Sequence, residues 1–184
     1  MRYLLPLVML LVGCQESAAP PSSTPSPADS AQAEQSAGPG MATAPTWQLN
    51  TTTNPADGST TVVLYREAME VRAHSGARDP ILYVRCKGGA TELYIDWHDY
   101  IPGATHQVTT RLDRTPTQAR MWNLSRSNIA TFYPGSPIDF LQTLMAADRL
   151  YAEATPYNTA PVTALFDLEG LTDAIQPLRS ACGW

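Results

Sequence analysis

The sequence predicts an α+β fold, mainly β, in which an antiparallel sheet or sandwich carries two short helices and one disulfide. Three observations predict it. Apolar and polar residues alternate through the first two thirds of residues 46–184, which is the period of a half-buried strand. Two later segments change to the period of an amphipathic helix. Two cysteines, Cys86 and Cys182, are available to pair within this range.

The clearest strands run from Ile81 to Cys86 and from Thr91 to Trp97. In each, every second residue is apolar, so one face of the strand is expected to be buried. Cys86 falls on the apolar face of its strand and is expected to point inward. The intervening Gly88 and Gly89 tolerate positive φ, which predicts that the two strands form a β-hairpin.

Further segments have the alternation or the composition of strands. We expect them to continue the sheet in antiparallel meander order. They are Thr61 to Tyr65, His106 to Asp113, Arg120 to Ser125, Ala130 to Tyr133, Leu150 to Thr155 and Val162 to Leu168.

Two segments have helical periodicity. Residues 138–145 place apolar side chains on one face, after Ser136 as a candidate N-cap and Pro137 at the first helical position. Residues 171–178 form a second apolar stripe. Pro177 removes an N–H within that stripe and is expected to kink or divide the helix. Both helices should pack on one face of the sheet.

The first residues have the layout of a bacterial export signal. Arg2 precedes an apolar run over residues 3–12, which is shorter than the ~20 residues that span a bilayer. The run ends in the letters LVGC at residues 11–14, the pattern of a lipobox in which the Cys14 thiol takes the lipid. The alternative is an ordinary signal peptide that contains a cysteine. We expect residues 1–13 to be a signal peptide and Cys14 to anchor the chain.

Residues 14–45 have the composition of a disordered tether. After Cys14 they are rich in Ala, Pro, Ser and Thr and contain no aromatic residue, Lys or Arg. Such a stretch cannot bury enough apolar surface to offset its ordering entropy. Gln15, rather than Asp, follows the cysteine, which favours the outer membrane. The sequence therefore predicts an outer-membrane lipoprotein at the periplasmic face of the cell envelope, with a globular domain at 46–184.

The cysteines and the net charge restrict the partners. With Cys14 assigned to lipid, Cys86 and Cys182 are an even pair in an oxidising compartment, and a disulfide is expected between them. Two free thiols or a metal pair are the alternatives, but no C-x-x-C and no histidine at ligand spacing supports a metal. The net charge of −5 predicts no basic face, which argues against nucleic acid as a partner.

The best candidate for chemistry is the segment Asp96 to Tyr100. Asp96 and His98 fall on one face of a continued strand, where they could hold a metal or exchange protons. We favour a strand end that passes into a polar turn, because catalytic and metal sites need further converging groups. No nucleotide, EF-hand or zinc-protease motif occurs, and Ser136 lacks a G-x-S-x-G context. The chain is therefore expected to be neither an enzyme nor a cofactor binder, and an envelope hydrolase is the least favoured hypothesis.

Aromatic side chains offer another type of surface. Tyr94 and Tyr100 are the candidates for exposure, and together with Asp96 and His98 they form a candidate surface for a protein partner or a glycan. Two tryptophans share faces with apolar neighbours and are expected in the core, Trp97 and Trp122.

Three stretches of the domain together resemble the sequences of a known protein family. They are ILYVRCKGGATELYIDW, VTTRLDRTPTQARMWNLSRSNIATFYPG and PVTALFDLEGLTDAIQPLRSACGW. Together they resemble the VasI/TagO family of type VI secretion-associated proteins, over Thr61 to Trp184. Members of that family are exported accessory factors, generally without an assigned catalytic activity. The resemblance implies a role in assembly, regulation or effector handling at the envelope.

We therefore expect an envelope-anchored accessory lipoprotein of a type VI secretion system that acts by binding protein partners. The alternative is a periplasmic lipoprotein that binds glycan or peptidoglycan and has no role in secretion. Neighbouring genes for a type VI machine favour the first hypothesis. Retention on peptidoglycan that depends on Tyr94 or Tyr100 favours the second.

Overall fold

The computed structural model describes residues 46–74, 76 and 78–184. Within these residues the chain forms ten strands and three helices. The strands are β1 (Gln48–Thr53), β2 (Thr60–Glu67), β3 (Glu70–Arg72), β4 (Ile81–Lys87), β5 (Ala90–Asp96), β6 (Thr105–Leu112), β7 (Gln118–Leu124), β8 (Ala130–Phe132), β9 (Arg149–Ala154) and β10 (Val162–Asp167). The helices are α1 (Ile138–Met145), α2 (Leu171–Ala174) and α3 (Gln176–Cys182). The predicted signal peptide at 1–13, Cys14 and the predicted tether at 14–45 lie outside the described residues.

The strands form one antiparallel sheet in the order β1-β2-β4-β5-β8-β7-β6-β9-β10-β3. β2 is second in this order and β3 is last, although only Ala68 and Met69 separate them in the chain. In a flat sheet, at ~4.8 Å per strand, they would lie about 38 Å apart. Three steps along the chain reach at most about 11 Å. The sheet must therefore curl, and it forms a half-barrel rather than a sandwich.

The predicted strand positions are confirmed, but the predicted meander order holds only in part. Each predicted strand overlaps an observed one, and the consecutive pairs β4–β5, β6–β7, β7–β8 and β9–β10 are present. The order departs from a meander where β5 pairs with β8 and β6 pairs with β9. The strands β1 and β3 were not predicted from the sequence. Every residue of β1 is exposed, so it shows no apolar alternation, and β3 is only three residues long.

The hairpin predicted around Gly88 and Gly89 is confirmed. Lys87 pairs with Ala90, which leaves a loop of these two glycines, with φ of 57° and 76°. Two-residue hairpin loops with positive φ at both positions match the twist of the flanking strands. The glycines therefore set the register of β4 against β5.

The concave side of the half-barrel holds the core. Cys86 is 2% exposed and points inward as predicted, and Trp97 and Trp122 are core residues at 0% and 1%. The Trp97 indole N–H donates to Thr131 Oγ1 at 2.9 Å, so its one polar atom is satisfied inside the core. The helices and the junction between α2 and α3 contribute buried apolar residues to the same cluster, namely Leu141, Leu144, Leu171, Ile175 and Leu178.

The helix boundaries correct one prediction and confirm another. Ser136 is not the N-cap of α1. The carbonyl of Pro137 accepts the Leu141 N–H at 2.8 Å, so Pro137 itself occupies the cap position, and no side chain caps the helix. The second predicted helix divides at Ile175 into α2 and α3, with Pro177 in the first turn of α3, as the missing proline N–H predicted.

The predicted disulfide between Cys86 and Cys182 is present, with the Cα atoms 5.8 Å apart. It joins β4 to the end of α3, which packs against β2 and β4 on the concave side. The Trp184 indole N–H donates to Thr91 Oγ1 at 2.9 Å, and Thr91 is the register partner of Cys86. Trp184 is thereby placed beside the bridge.

Candidate functional site

The outer face of the half-barrel carries a row of four aromatic rings across four adjacent strands. Its members, on β2, β4, β5 and β8, are Tyr65, Tyr83, Tyr94 and Phe132. Each is directly opposite the next in the strand register. Their neighbours along the chain point into the core, so the rings point away from it. We call this set the aromatic row.

The rings of the aromatic row pack against one another, tilted for Tyr65 and Tyr83 and stacked for the other two pairs. The ring centroids are 5.4 Å apart for Tyr65 and Tyr83, 4.8 Å for Tyr83 and Tyr94, and 4.5 Å for Tyr94 and Phe132. Such pairs stabilise a fold by about 0.5–1.5 kcal/mol each beyond their buried area. All four side chains are half-buried. The row is therefore a rigid strip with part of each ring facing solvent.

Burial changes the chemistry of two phenols in the aromatic row. It raises the pKa of Tyr94 to about 12 and also raises the pKa of Tyr83 above its ordinary value of 10.0. Both hydroxyl groups are therefore neutral at physiological pH, and each keeps the proton that it can donate to a hydrogen-bond acceptor.

Polar groups border the aromatic row. Arg85 and Glu92 form an ion pair with Nη2 and Oε2 2.6 Å apart, and the Arg85 guanidinium lies 5.5 Å from the centre of the Tyr94 ring. At one end of the row, the Tyr65 hydroxyl donates to Gln48 Oε1 at 2.7 Å. An apolar strip with a polar rim is the usual anatomy of a protein-binding surface.

Tyr100, which the sequence grouped with Tyr94, lies away from the aromatic row. It follows the end of β5 and is 55% exposed. Its ring meets that of Tyr157, which is 60% exposed, edge-on at a centroid distance of 6.4 Å. The Tyr157 N–H donates to the Tyr100 carbonyl at 2.9 Å, which ties the two loops together. These two residues form a separate exposed aromatic pair.

Asp96 and His98 contact each other in a turn at the end of β5. His98 has φ of 52°, so the strand does not continue through it. The His98 N–H donates to Asp96 Oδ1 at 3.0 Å, and His98 Nε2 lies 3.7 Å from Asp96 Oδ2. His98 Nδ1 lies 3.1 Å from the Asp79 carbonyl. These contacts fit the polar-turn interpretation of the sequence.

His74, which is distant from this turn in sequence, also lies against it. His74 Nε2 lies 2.9 Å from the Trp97 carbonyl and 3.9 Å from Asp99 Oδ2. Within residues 46–74, 76 and 78–184, no group of three or more His, Cys, Asp or Glu side chains is arranged to hold a metal ion. The contacts of His74 and His98 with backbone carbonyls fix the path of the loop.

Sequence reasoning named Tyr94 but missed its three partners. Tyr83 was open to prediction, because the two-glycine loop of the hairpin places it directly opposite Tyr94. Tyr65 and Phe132 join through β2–β4 and β5–β8 pairing, which no short loop specifies. The signal in the sequence is an aromatic residue on the polar side of an alternating strand.

A match to a protein-family model identifies the family to which this chain belongs. Residues 15–184 match the family model described as type VI secretion system VasI, EvfG, VC_A0118. The chain belongs to the VasI family. The match extends over nearly the whole chain, so the half-barrel and its aromatic row are features of a VasI family member. The resemblance on residues 61–184 is thus confirmed as membership of a type VI secretion-associated family, which suggests an envelope location.

Other comparisons add a structural similarity. A crystal structure of invasion associated protein B from Bartonella henselae covers 77% of this chain and 97% of its own, with 11% identity and a TM-score of 0.48. No curated protein sequence matches significantly. In the described part of the chain, no helix has both the length and the apolar character needed to cross a membrane.

Proposed function

We propose that this VasI family member is an envelope-anchored accessory lipoprotein of a type VI secretion system, and that it binds a protein partner through the aromatic row. One observation carries the proposal: four aromatic rings lie in register on the outer face of the sheet, each partly exposed to solvent. Family membership is the reason for proposing a type VI secretion system, and the aromatic row is the reason for proposing a protein-binding surface.

The aromatic row suits a protein partner for energetic reasons. Stacking already fixes the ring positions, so binding costs little side-chain entropy. Tyrosines bury large apolar areas and also donate hydrogen bonds, which is why they recur among residues that dominate interface energies. The Arg85–Glu92 pair beside Tyr94 adds a charged rim that can select the register of the partner. An aromatic strip across the outer face of a sheet fits an extended segment or another sheet face.

We also propose that a lipid anchors the protein and that the protein has no catalytic activity. Lipidated Cys14 would hold the domain at the periplasmic face, with outer-membrane placement favoured by Gln15. The Asp96–His98 turn directs its bonds to backbone groups and within itself, which supports a binding role over a hydrolase. The protein would act in assembly, regulation or effector handling without a cofactor.

The test is affinity purification from the native host after crosslinking, with partners identified by mass spectrometry. We would compare the wild type with a Tyr83→Thr/Tyr94→Thr variant, since threonine keeps the strand preference while removing the rings. A Tyr157→Thr variant removes an exposed ring outside the aromatic row and serves as the matched control. Type VI components should be recovered with the wild type and the control and lost with the double variant. Equal recovery from all three would contradict the proposal.

A second candidate function, glycan or peptidoglycan binding, is supported by the Tyr100–Tyr157 pair. Both rings are more than half exposed and lie on adjoining loops, where they could stack on sugar faces. Retention on isolated peptidoglycan that falls on Tyr100→Ala or Tyr157→Ala would support this function. Retention that falls on Tyr94→Ala alone would assign glycan binding to the aromatic row instead.

A further inference from the structure

The other half of the outer face carries a groove of different chemistry. It lies over β6, β9 and β10 and has a volume of about 640 Å³, and it is lined by Arg111, Arg114, Arg149, Tyr151 and Leu165 together with two aspartates. A second groove of about 390 Å³ shares Arg111, Tyr151 and Leu165 and extends toward β3. The shared lining makes the two grooves continuous. We call the whole the arginine groove.

Strand register positions the floor of the arginine groove. Arg111 on β6 is opposite Tyr151 on β9, which is opposite Leu165 on β10. The Arg111 guanidinium stacks 5.3 Å from the centre of the Tyr151 ring. Stacking on an aromatic face holds a guanidinium in place and leaves its N–H donors available. The groove thus combines a fixed cation with an aromatic and an aliphatic surface.

The carboxylates near the arginine groove are mostly engaged within the protein. Asp113 accepts the backbone N–H groups of Asp148 and Arg149 at 3.1 and 2.8 Å. Glu153 accepts the Tyr151 hydroxyl at 2.5 Å. At the far end, Glu70 is paired with the guanidinium of Arg72. Glu70 is therefore neutralised by Arg72, whereas Asp113 and Glu153 keep their negative charge but already accept hydrogen bonds from donors of the fold.

Three arginines of the groove differ from these carboxylates. Within the part of the chain that the structure describes, the guanidinium groups of Arg111, Arg114 and Arg149 form no ion pair or hydrogen bond. Asp148 is the lining carboxylate whose oxygens likewise accept no hydrogen bond from a described residue. Four arginines and three carboxylates line the two grooves, so the lining has a formal charge of +1 in a protein whose net charge is −5.

We propose that the arginine groove binds an extended acidic peptide segment of a partner protein, with side-chain carboxylates on Arg111 and Arg149 and apolar side chains on Tyr151 and Leu165. Guanidinium groups pair bidentately with carboxylates, which gives both affinity and orientation. The continuous groove along several strands suits a chain more than a compact ion. This site is independent of the aromatic row and does not rest on the function proposed for it.

The experiment is fluorescence anisotropy with the protein purified in detergent from its native host and a labelled decapeptide of alternating Glu and Ala. The wild type should bind the peptide and should not bind the matched Gln/Ala peptide. Arg111→Gln/Arg149→Gln should weaken binding about tenfold or more, because both cationic contacts are lost. Arg126→Gln, an exposed arginine in the loop between β7 and β8, should leave binding unchanged. Higher salt should weaken binding of the wild type, since screening acts over about 10 Å at 0.1 M.

Three results would overturn the proposal. The first is no binding of the Glu/Ala peptide, or equal binding by the double arginine variant with circular dichroism unchanged. The second is displacement of the peptide by inorganic phosphate as effectively as by unlabelled peptide, which would show a site for small anions. The third is arginine-dependent binding to phosphatidylglycerol vesicles without peptide binding, which would assign a lipid surface. Unchanged peptide binding by Tyr83→Thr/Tyr94→Thr would show that the arginine groove binds the peptide without the aromatic row.

Discussion

The guanidinium of Arg66 on β2 reaches the carboxylate of Asp167 on β10, with Nη2 and Oδ2 2.7 Å apart. The Arg66 side chain is 5% exposed and also donates through Nη1 to the Glu169 carbonyl at 3.2 Å. These two strands are far apart in the sheet order, and they meet because the sheet curls. The ion pair therefore joins the two ends of the half-barrel close to the short β2–β3 connection.

Asp167→Asn should destabilise the fold by about 3 kcal/mol, because it leaves a buried guanidinium without its counter-charge. The measurement is the free energy of unfolding from urea denaturation. Arg72→Gln is the matched control, since it breaks the exposed Arg72–Glu70 pair, in which the Arg72 side chain is 77% exposed. We expect the control to change stability by no more than ~0.5 kcal/mol. Equal effects of the two substitutions would contradict the role assigned to Arg66.

Reduction of the Cys86–Cys182 disulfide should lower stability by about 4–5 kcal/mol in the chain-entropy model, because the bridge closes a loop across a sequence separation of 96 residues. Urea denaturation with and without reductant measures the difference. A Cys86→Ala/Cys182→Ala variant should be as unstable as the reduced wild type and insensitive to reductant. An unchanged unfolding midpoint on reduction would show that α3 is held to β4 by packing alone.

His106 should make stability depend on pH. Burial lowers the pKa of His106 from its ordinary value of 6.5, and its Nε2 accepts the Thr155 N–H at 3.1 Å, which requires a neutral ring. Below pH about 6.5 the unfolded chain binds a proton that the folded chain resists, so stability is present above this pH and is lost as pH falls toward the lowered pKa. Urea denaturation at a series of pH values should therefore show a steeper acid loss for the wild type than for His106→Gln. Parallel curves would contradict this assignment.

Cys14→Ser should release the protein from the membrane fraction, because a serine cannot accept the thioether-linked lipid. Fractionation of cells, followed by detection of the protein in soluble and membrane fractions, measures the effect. Cys86→Ser serves as a control, since it should lower stability without changing lipidation. Membrane association of the Cys14→Ser protein equal to that of the wild type would refute the lipid anchor.

Much of the core was predictable from local sequence, because alternation depends only on neighbouring residues. Leu82, Val84 and Cys86 lie in one apolar series and are all buried. The curl of the sheet was not predictable in this way. It follows from the pairing of β3 with β10, and the sequence of β3 shows no preference for that partner. β1 was missed because an exposed edge strand has no buried face to create a pattern.

The candidate site shows the same division between local and distant information. Tyr94 could be named from its place on the polar side of a strand, and Tyr83 follows from the hairpin register. Phe132 reaches Tyr94 only after the chain has passed through β6 and β7, so no local signal pairs them. Asp96 and His98 meet in a turn, as favoured, and not on one face of a continued strand, since His98 takes positive φ just after β5 ends.

The most direct test of the binding role is photocrosslinking in the native host, with benzoylphenylalanine in place of Tyr94. Its aromatic ring suits the aromatic row, and its reactive carbonyl captures only partners in contact with that face. The same residue in place of Tyr157 is the control for an exposed position outside the row. We expect a discrete adduct with a type VI secretion component from position 94 and none from position 157. A correctly folded protein that gives no adduct from position 94, or the same adduct from both positions, would contradict it.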